Sequence, residues 1–496
     1  MYGQNIKKIQ KRERLIQMIP GLMLWGTIII IFILSFTAPT IVIYLVILYI
    51  TYFVYQSLTM MVLVFMANKR ISNVEKVDWI EKLNNDYPEW KDIYNVLLIP
   101  VANEGENILI PTIEACKRTN YPKERKIVLI ATEKKFPNGE MIAKKLQKVY
   151  GNDFYKFIIT VHNLKDGEIA GKASNENFAA REFYKQNLKF GIPTENILIT
   201  SNDADYRHEP NYFAYLTYTY LKTDKRYSAI FQPIPIFYNN IWKVPIVSRI
   251  IATFAAQWQM AVTFKPERFI NFSCYAINLR SLNEVGYWDT NIIPEDERLF
   301  WKTTIKYGDD AKVIPLYIPV FGDAVLGDTY WKSIKEQYKQ LRRWAWGASE
   351  MTFSIPNVIQ HKELSKYKKF YLLFQQLRNS FERSLAPIII TFGDLIPELN
   401  SHYQKLSLSY TMPSLISRIM TVSTLLVVII LFFEAKLAPK RGNKKMLKNA
   451  FSYVGWVTYP LVSIIFSSIP AIDAQTRLLF GKNIQYVPTA KKSVNI

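Results

Sequence analysis

Residues 196–205 read NILITSNDAD, an apolar run that passes directly into a pair of aspartates. Comparable apolar runs precede it at 96–100 (VLLIP), 126–130 (KIVLI) and 157–161 (FIITV). Short runs of this kind, rich in Val, Ile and Leu, are typical of buried strands, and a helix is predicted near residues 108–119. Strands that alternate with helices predict an α/β domain with a mainly parallel sheet, whose functional groups collect at the carboxyl ends of the strands.

The aspartates at the end of the quoted stretch are Asp203 and Asp205. Alternate residues of an extended segment point to the same side, so both carboxylates can reach one cation. Hard oxygen ligands suit Mg²⁺ or Mn²⁺. A solvated acidic turn is the simpler reading of so short a motif, and its position directly after a buried run favours the metal site.

The chain of 496 residues is 49% hydrophobic, and its apolar residues collect near the two ends. This length accommodates one large globular domain and a membrane region. The two cysteines, Cys116 and Cys274, exclude a disulfide framework and are typical of a reducing compartment. Lys and Arg flank the apolar segments, as in cytoplasmic loops, so the net charge of +21 predicts a membrane protein rather than a nucleic-acid partner.

Two apolar stretches, at about 18–36 and 41–66, follow each other without a small-residue cleavage site between them. They predict a transmembrane hairpin at residues 17–70 rather than a signal peptide. The basic residues 1–16 predict a helix on the cytoplasmic membrane surface. Residues 71–326 are assigned to a cytoplasmic α/β domain.

The second half of the chain predicts helices. Interfacial helices are expected at 327–380, transmembrane helices at 381–470 and a cytoplasmic tail at 471–496. The apolar segments of this region lie near 385–396, 415–433 and 454–468. The basic residues of the tail favour the cytoplasmic side, which conflicts with a full membrane crossing by the last apolar segment. Pro460 and Pro470 therefore favour a re-entrant hairpin there.

A further acidic motif, IIPEDER, occupies residues 292–298 and contains Glu295 and Asp296. An Asp has an ordinary pKa of about 3.9 and is ionised at neutral pH, so it can accept a proton as a general base. The alternative is the acidic first turn of a helix, which the helix dipole favours.

Residues 340–344 read QLRRW, and Gln340 and Arg343 share one face of a predicted helix. An Arg can stabilise charge that develops on a leaving diphosphate, and Trp344 offers a flat apolar face to a sugar ring. An interfacial helix is also rich in Trp and Arg, and Trp331 and Trp346 are assigned to that role.

Two weaker motifs complete the set. GKASN at 171–175 combines a Gly that lets the backbone approach a phosphate with the charge of Lys172. YVPTAK at 486–491 follows the last apolar segment, where a frayed basic tail is the alternative.

In their order along the chain, these motifs resemble the membrane-integrated family 2 glycosyltransferases, the group of cellulose, hyaluronan and chitin synthases. The resemblance extends from about Val96 to the C-terminus. NVLLIPVANE at 95–104 resembles the opening strand and P-x-x-N-E turn of that family, and FQP at 231–233 with YNN at 238–240 resembles its Q-x-P…N segment. The resemblance implies a GT-A α/β domain with transmembrane and interfacial helices.

The resemblance also implies roles for individual residues. The residues expected at the catalytic step are Glu295, Asp296, Gln340, Arg343 and Trp344. Those expected to bind the nucleotide sugar are Glu104, Glu133, Lys172, Asp203, Asp205, Arg343, Tyr486, Thr489 and Lys491, the last three in a gating loop. Asp203 and Asp205 would hold Mg²⁺ or Mn²⁺, and Ser273, Cys274 and Trp344 would contact the acceptor.

Three departures from the family pattern bear on the substrate. Glu133 stands where an acidic pair after the second strand usually contacts the nucleobase, and Pro488 replaces the valine of the gating loop. NFSCY at 271–275 lacks the usual Gly-Thr or Gly-Ser. The identity of the sugar is therefore not carried over from any synthase.

The predicted function is inverting, metal-dependent transfer from a nucleoside-diphosphate sugar, expected to be UDP-linked, to a growing polysaccharide that the helices export. The first alternative is transfer of one sugar to a polyprenyl or other lipid acceptor. An inactive scaffold and a transporter are alternatives of other classes. The expected partners are the sugar donor, a polysaccharide or lipid-linked acceptor and membrane lipid, without nucleic acid. The expected location is the plasma (inner) membrane, multi-pass, and the oligomeric state is open.

Overall fold

The computed structural model describes residues 2–268, 270–405, 407, 409–422 and 458–485. The gating-loop-like residues Tyr486, Thr489 and Lys491 lie outside this range, as do parts of the apolar segments predicted at 415–433 and 454–468. The described chain folds into an α/β domain, two long N-terminal helices and a group of C-terminal helices.

An eight-stranded sheet forms the centre of the α/β domain. Its strands are β1 (Tyr94–Val101), β2 (Lys126–Glu133), β3 (Lys156–His162), β4 (Ile197–Ser201), β5 (Arg207–His208), β6 (Ala229–Ile236), β7 (Tyr275–Asn278) and β8 (Lys312–Phe321). They lie in the order β3-β2-β1-β4-β7-β6-β8-β5. Six strands share one direction, while β7 and β5 run antiparallel to their neighbours. The predicted mainly parallel sheet is confirmed.

The four strands predicted from apolar runs correspond to β1–β4, with ends that differ by at most three residues. Every residue of β2 and β4 is buried, because helices cover both faces of the sheet. A strand that is buried on both sides reads as a continuous apolar run, which is why these strands are visible in the sequence. Strand β7 has four residues and runs antiparallel to both of its neighbours, β4 and β6.

Helices pack on both faces of the sheet and complete two hydrophobic cores. Their bounds are α1 Tyr2–Thr37, α2 Pro39–Glu75, α3 Trp79–Asp86, α4 Glu106–Lys117, α5 Pro137–Tyr150, α6 Lys172–Phe190, α7 Tyr212–Lys222, α8 Ile246–Val262, α9 Leu279–Glu284, α10 Glu295–Tyr307, α11 Tyr330–Ala345, α12 Met351–Gln360, α13 Lys366–Phe392 and α14 Leu395–Glu398. Short 3₁₀ turns, among them Pro266–Arg268 and Trp346–Glu350, connect some of them. Residues 409–422 are also helical.

The two N-terminal helices are long and strongly apolar. By length and composition alone, Lys11–Thr37 and Pro39–Glu75 are sufficient to cross a membrane. The hairpin predicted at 17–70 falls within these helices. However, α1 begins at Tyr2, so no break separates the predicted surface helix at 1–16 from the hairpin.

The C-terminal helical segment consists of Tyr459–Ser463, the π-helical turn Ile464–Ser468 and Ile469–Leu479. A re-entrant hairpin around Pro460 and Pro470 requires the chain to reverse here, and it does not. Pro460 lies in the first turn of the segment, where a missing N–H breaks no helical hydrogen bond, and Pro470 directly follows the π-helical turn without interrupting the helical run. The expectation that these prolines turn the chain back is therefore wrong for residues 459–479.

This C-terminal segment packs against α11 and α1. Asp473 accepts hydrogen bonds from Arg342 at 2.9 Å and from Arg477 at 2.6 Å, while Arg14 donates to the carbonyl of Leu478 at 2.6 Å. The helix that carries the QLRRW motif is thereby held between the α/β domain and the N-terminal helix.

We expect Gly322→Ala to destabilise the fold. A Cβ at residue 322 would lie 2.7 Å from Cε1 of Tyr206, whose side chain is fully buried. Overpacking of this kind typically costs about 1–3 kcal/mol. The apparent melting temperature, followed by tryptophan fluorescence, should fall in the variant.

The matched control is Gly151→Ala, since a Cβ at residue 151 would meet no atom within 4 Å and the backbone there is helical. Equal melting temperatures for the two variants would contradict the close contact between Gly322 and Tyr206.

Candidate functional site

A cavity of about 1590 Å³ begins at the carboxyl ends of β1, β2 and β4 and continues between α2, α8 and α13. The predicted site residues that line it are Glu104, Glu133, Lys172, Asp203, Asp205, Ser273, Glu295, Asp296, Gln340, Arg343 and Trp344. Side chains from seven separate segments of the sequence thus meet in one cavity, at the edge of the sheet that the strand pattern predicted.

Lys172, the first residue of α6, joins the acidic groups of this site. Its Nζ lies 2.9 Å from Oδ1 of Asp203, 3.8 Å from Oε1 of Glu295 and 4.0 Å from Oε1 of Glu176, and it donates to the carbonyl of Ser273 at 2.8 Å. Burial opposes the charge of Lys172, but the three carboxylates raise its pKa well above the usual value. The lysine therefore stays protonated and links α6, α10 and two loops.

Asp296 lies in the first turn of α10, where two backbone N–H groups hold its carboxylate. Ser273 donates to Oδ2 at 3.1 Å and Glu297 to Oδ1 at 2.8 Å. Burial raises the pKa of Asp296 and that of the adjacent Glu295, which the charge of Asp296 raises further. A carboxylate with a raised pKa accepts a proton more readily, which suits a general base.

The loop that contacts Asp296 is shaped by Gln232 of β6. Its Nε2 donates to the carbonyls of Phe272 at 3.3 Å and Cys274 at 2.8 Å, and its Oε1 accepts from the N–H of Phe272 at 3.0 Å. Ser273 between them has a φ of 58°, in the left-handed region where a side chain is disfavoured. Gln232 thus holds the turn that directs the Ser273 N–H at Asp296.

Asp203 and Asp205 follow β4 in a turn rather than in an extended segment. Asp205 is buried, and its Oδ2 accepts from the N–H of Asp323 at 2.7 Å, whereas the side chain of Asp203 is 30% exposed. The strand-alternation argument for a shared cation therefore does not apply. Both residues still line the cavity, because the side chain of Asn239 ties the Asp205 carbonyl to the end of β8.

The oxygen ligands available to a metal are few. Among the described residues, no group of three or more His, Cys, Asp or Glu side chains is arranged to hold a metal ion. Mg²⁺ is often bound by one or two carboxylates together with substrate phosphates. Asp203 and Asp205 fit that type of site, in which phosphate oxygens complete the coordination.

Two further acidic residues lie at the ends of β1 and β2. Glu104 closes the turn after β1 by accepting from the N–H of Ala102 at 2.6 Å. Glu133 is the last residue of β2, where burial raises its pKa and the charge of Glu104 adds to the effect. They form the end of the cavity that lies beyond Asp203.

Helix α11 brings Gln340, Arg343 and Trp344 to the opposite wall. Gln340 accepts from Nε2 of Gln337 at 3.1 Å, and the ring of Trp344 lies 6.4 Å from that of Phe237, between centroids. Both aromatic rings line the cavity, tilted by 37° to each other, so this wall presents apolar ring surfaces beside polar groups.

The two tryptophans predicted as interfacial anchors differ in their exposure to solvent. Trp331 is 77% exposed, but Trp346 is buried against Ala471 and Ala474 of the C-terminal segment and against Ile293. The interfacial role expected of Trp346 is therefore wrong. Its ring instead fixes the end of α11 to the segment that precedes Asp296.

Cys274, predicted near the acceptor, is fully buried at the start of the β7 region. Its Sγ lies 3.4 Å from Oδ1 of Asn202, and it is not among the described residues that line the cavity. Ser273 lines the cavity and Cys274 does not, and the two residues lie in a bend rather than in an extended segment, with the φ of Ser273 at 58°.

Glu297 lines the cavity beside Asp296 and was not predicted as a site residue. Burial raises its pKa to about 8, with further contributions from Glu350 and Asp296 that Arg383 partly offsets. A Cβ at Gly347, just after the QLRRW motif, would lie 2.7 Å from Oε2 of Glu297. The sequence did contain a signal for this residue, because Glu297 is the third acidic residue of the EDE triplet at 295–297.

Comparisons with known proteins agree with this geometry. Residues 198–437 match the family described as Glycosyl transferase family group 2. The protein is a glycosyltransferase. It carries a GT-A-like mixed sheet. No curated protein sequence matches this chain.

Similar solved structures share little sequence with this glycosyltransferase. The mannosyltransferase PcManGT from Pyrobaculum calidifontis, in complex with GDP-Man and Mn²⁺, has a TM-score of 0.45 and 11% identity, covering 86% of this chain and 100% of that one. S. aureus TarS 1–349 in complex with UDP-GlcNAc has a TM-score of 0.36 and 12% identity, covering 71% and 95%. GalNAc-T7 with UDP, GalNAc and Mn²⁺ has a TM-score of 0.35 and 11% identity, covering 58% of each chain.

We expect Glu297→Gln to change the dependence of thermal stability on pH. The carboxyl group has a pKa of about 8 in the folded protein and about 4.3 when unfolded, so between these values the folded state keeps a proton that the unfolded state has lost. The stability of the wild type therefore falls through this window as the pH rises, by up to about 1.4 kcal/mol per pH unit. Glutamine has no such proton. The melting temperature of the variant minus that of the wild type should therefore increase as the pH rises to about 8.

The control is Glu363→Gln, a substitution of the same type at an exposed position. A constant difference between the melting curves of the wild type and Glu297→Gln across this pH range would contradict the raised pKa of Glu297.

Proposed function

We propose that this glycosyltransferase catalyses inverting, metal-dependent transfer from a nucleoside-diphosphate sugar to an acceptor that enters from the helical side of the cavity. The observation that carries this proposal is the continuity of the cavity. One space connects the acidic site at the strand ends with the walls formed by α2 and α13. A donor can then be bound at one end while the acceptor lies along the other.

The donor end is formed by Glu104, Glu133, Asp203 and Asp205. A UDP-sugar is the proposed donor, with its base near Glu133 and its diphosphate near the aspartates. Asp203 and Asp205 would hold Mg²⁺ or Mn²⁺, which neutralises charge on the leaving diphosphate when it is bound. Lys172, which is 2.9 Å from Asp203, supplies a further positive charge at the same position.

Asp296 is proposed as the general base. It removes the proton of the acceptor hydroxyl as the oxygen attacks the anomeric carbon from the side opposite the diphosphate. The bond between the anomeric carbon and the diphosphate breaks, and the nucleoside diphosphate leaves with the electron pair. The N–H groups of Ser273 and Glu297 fix the carboxylate, while Arg343 assists departure of the diphosphate.

A growing polysaccharide is the proposed acceptor. The paired rings of Trp344 and Phe237 give the cavity a surface on which successive sugar rings can stack. The length of the cavity toward α2 and α13 supports passage of a polymer between the helices. We propose that the protein is a multi-pass protein of the plasma membrane with its catalytic domain in the cytoplasm, on the basis of the two long apolar helices and the basic flanking segments.

Transfer to a lipid-linked acceptor is the second candidate. A specific observation favours it, namely a group of cationic side chains at the helical end of the cavity. These cations lie apart from the acidic residues that form the donor end.

Asp296→Asn should reduce sugar transfer by about 10²–10⁴-fold, the usual contribution of a general base, while binding of the donor persists. The measurement is release of nucleoside diphosphate by purified protein with Mn²⁺ and a panel of UDP- and GDP-sugars, together with donor binding by calorimetry. Retained transfer would remove Asp296 from the mechanism.

Asp224→Asn is the matched control, because Asp224 is exposed and does not line the cavity. If the wild type releases nucleotide from none of the donors, the enzymatic proposal fails, and the inactive-scaffold alternative is favoured.

Trp344→Ala should shorten the polymer product, because the growing chain loses the apolar face that retains it between transfers. Trp344→Phe keeps part of that face and should give an intermediate length. Trp331→Ala is the control on the same helix, since Trp331 is 77% exposed and does not line the cavity. The lengths of products made with a labelled donor are measured by gel electrophoresis. A single added sugar in the wild type would contradict the polysaccharide acceptor.

A further inference from the structure

Four cationic side chains line the helical end of the cavity. This helical end is bounded by α2, by the turn Pro266–Arg268 and by α13. The described cationic residues that line it are Lys265, Arg268, Arg378 and Arg383, and the carboxylate of Glu382 lies among them.

The contacts of these residues leave an excess of positive charge. Glu382 pairs with Arg378, with Nε and Oε1 2.9 Å apart, and also accepts from the hydroxyl of Tyr52 at 3.0 Å. Arg268 donates to the hydroxyl of Tyr371 at 3.3 Å, a neutral group. Burial and the neighbouring guanidinium groups of Arg268 and Arg378 lower the pKa of Lys265. The charge of Arg383 acts on Glu297 instead. Among the described residues, Glu382 therefore faces Lys265, Arg268 and Arg378, in a cavity where like charges repel strongly.

Such an arrangement is stable in a cavity when an anion occupies it. The donor diphosphate does not account for the cations, because the groups proposed to bind it lie at the strand ends with Asp203 and Asp205. Arg residues bind phosphate oxygens through several N–H donors at once. A phosphate group on a second ligand fits the chemistry of this end.

The walls around the cations are apolar and aromatic. Phe53 and Met60 of α2 face Phe254 and Trp258 of α8 across the cavity, and the latter two rings are themselves more than one-third exposed. A soluble phosphate ester would gain nothing from these surfaces, whereas a hydrocarbon chain would be removed from water by them. The combination of cations and apolar walls is that expected for a lipid phosphate.

We propose that the helical end binds the phosphate headgroup of a lipid that carries the acceptor sugar. This inference rests on the proposed function and develops its second candidate, in which the acceptor sugar is linked to a lipid. The sugar of the lipid would extend toward Trp344 and Asp296, and the arginine nearest to that site is Arg383, whose charge acts on Glu297. The sugar hydroxyl gives its proton to Asp296 and forms the new glycosidic bond, while the lipid phosphate is unchanged.

The test measures binding of farnesyl phosphate to the full chain in detergent, with farnesol as the uncharged analogue. The wild type should bind farnesyl phosphate at least tenfold more tightly than farnesol. Arg268→Gln and Arg378→Gln should each weaken that binding at least fivefold. Arg280→Gln is the matched control, because Arg280 lies on α9 outside the cavity and its side chain is half-exposed.

Four outcomes would overturn the proposal. The first two are that the wild type binds farnesol as tightly as farnesyl phosphate, and that the cavity variants bind farnesyl phosphate as tightly as the wild type does. The third is that inorganic phosphate binds as tightly as farnesyl phosphate. The fourth is that phosphatidylglycerol binds as tightly, which would indicate a general lipid headgroup site. Displacement of farnesyl phosphate by a free anionic oligosaccharide would likewise favour a polymer in its place. Melting temperatures near that of the wild type show that both variants fold.

Binding of farnesyl phosphate does not depend on turnover of the donor. If the wild type binds it as expected but releases no nucleoside diphosphate from any donor, the proposed function fails and the lipid phosphate site stands. If nucleotide release occurs and the lipid phosphate does not bind, this inference fails alone.

Discussion

The buried ammonium group of Lys172 is the interaction on which the site depends. Asp203, Glu176 and Glu295 come from separate parts of the chain, and their charges would repel one another in a cavity without a cation between them. Removing one partner from a buried ion pair typically costs about 3–5 kcal/mol, because the remaining charge is left uncompensated. The lysine is therefore both a structural link between α6 and α10 and a positive charge at the position proposed for the diphosphate.

Around this centre, buried amide side chains fix the loops that the sheet alone leaves undefined. Gln232 holds the turn of residues 272–274, and Asn240 exchanges two hydrogen bonds with the backbone of Ala324, at 2.9 and 2.8 Å. Each bond satisfies a polar group that would be costly to bury alone. On the far side, Arg342 and Asp473 attach the QLRRW helix to the C-terminal segment, so the two walls of the cavity are held from outside the α/β domain.

The strands and the position of the site were predictable because their signals are local. Continuous apolar runs identify β1–β4, and parallel strands place their carboxyl ends at one edge, where Glu133 and Asp203 indeed line the cavity. Other features depend on neighbours that are distant in sequence. Whether Trp346 is buried is decided by the C-terminal segment that covers it, and the exposure of Cys274 depends on the turn that Gln232 imposes.

The sequence by itself determined the α/β class, the two long apolar helices, and the acidic and QLRRW motifs, because periodicity and residue type act over a few neighbouring positions. Only the tertiary structure decided that Lys172 lies among three carboxylates, that Glu297 belongs to the site, and that the cavity continues to the cations of α13. These relations join residues that are distant along the chain, and long-range packing rather than local propensity brings such residues together.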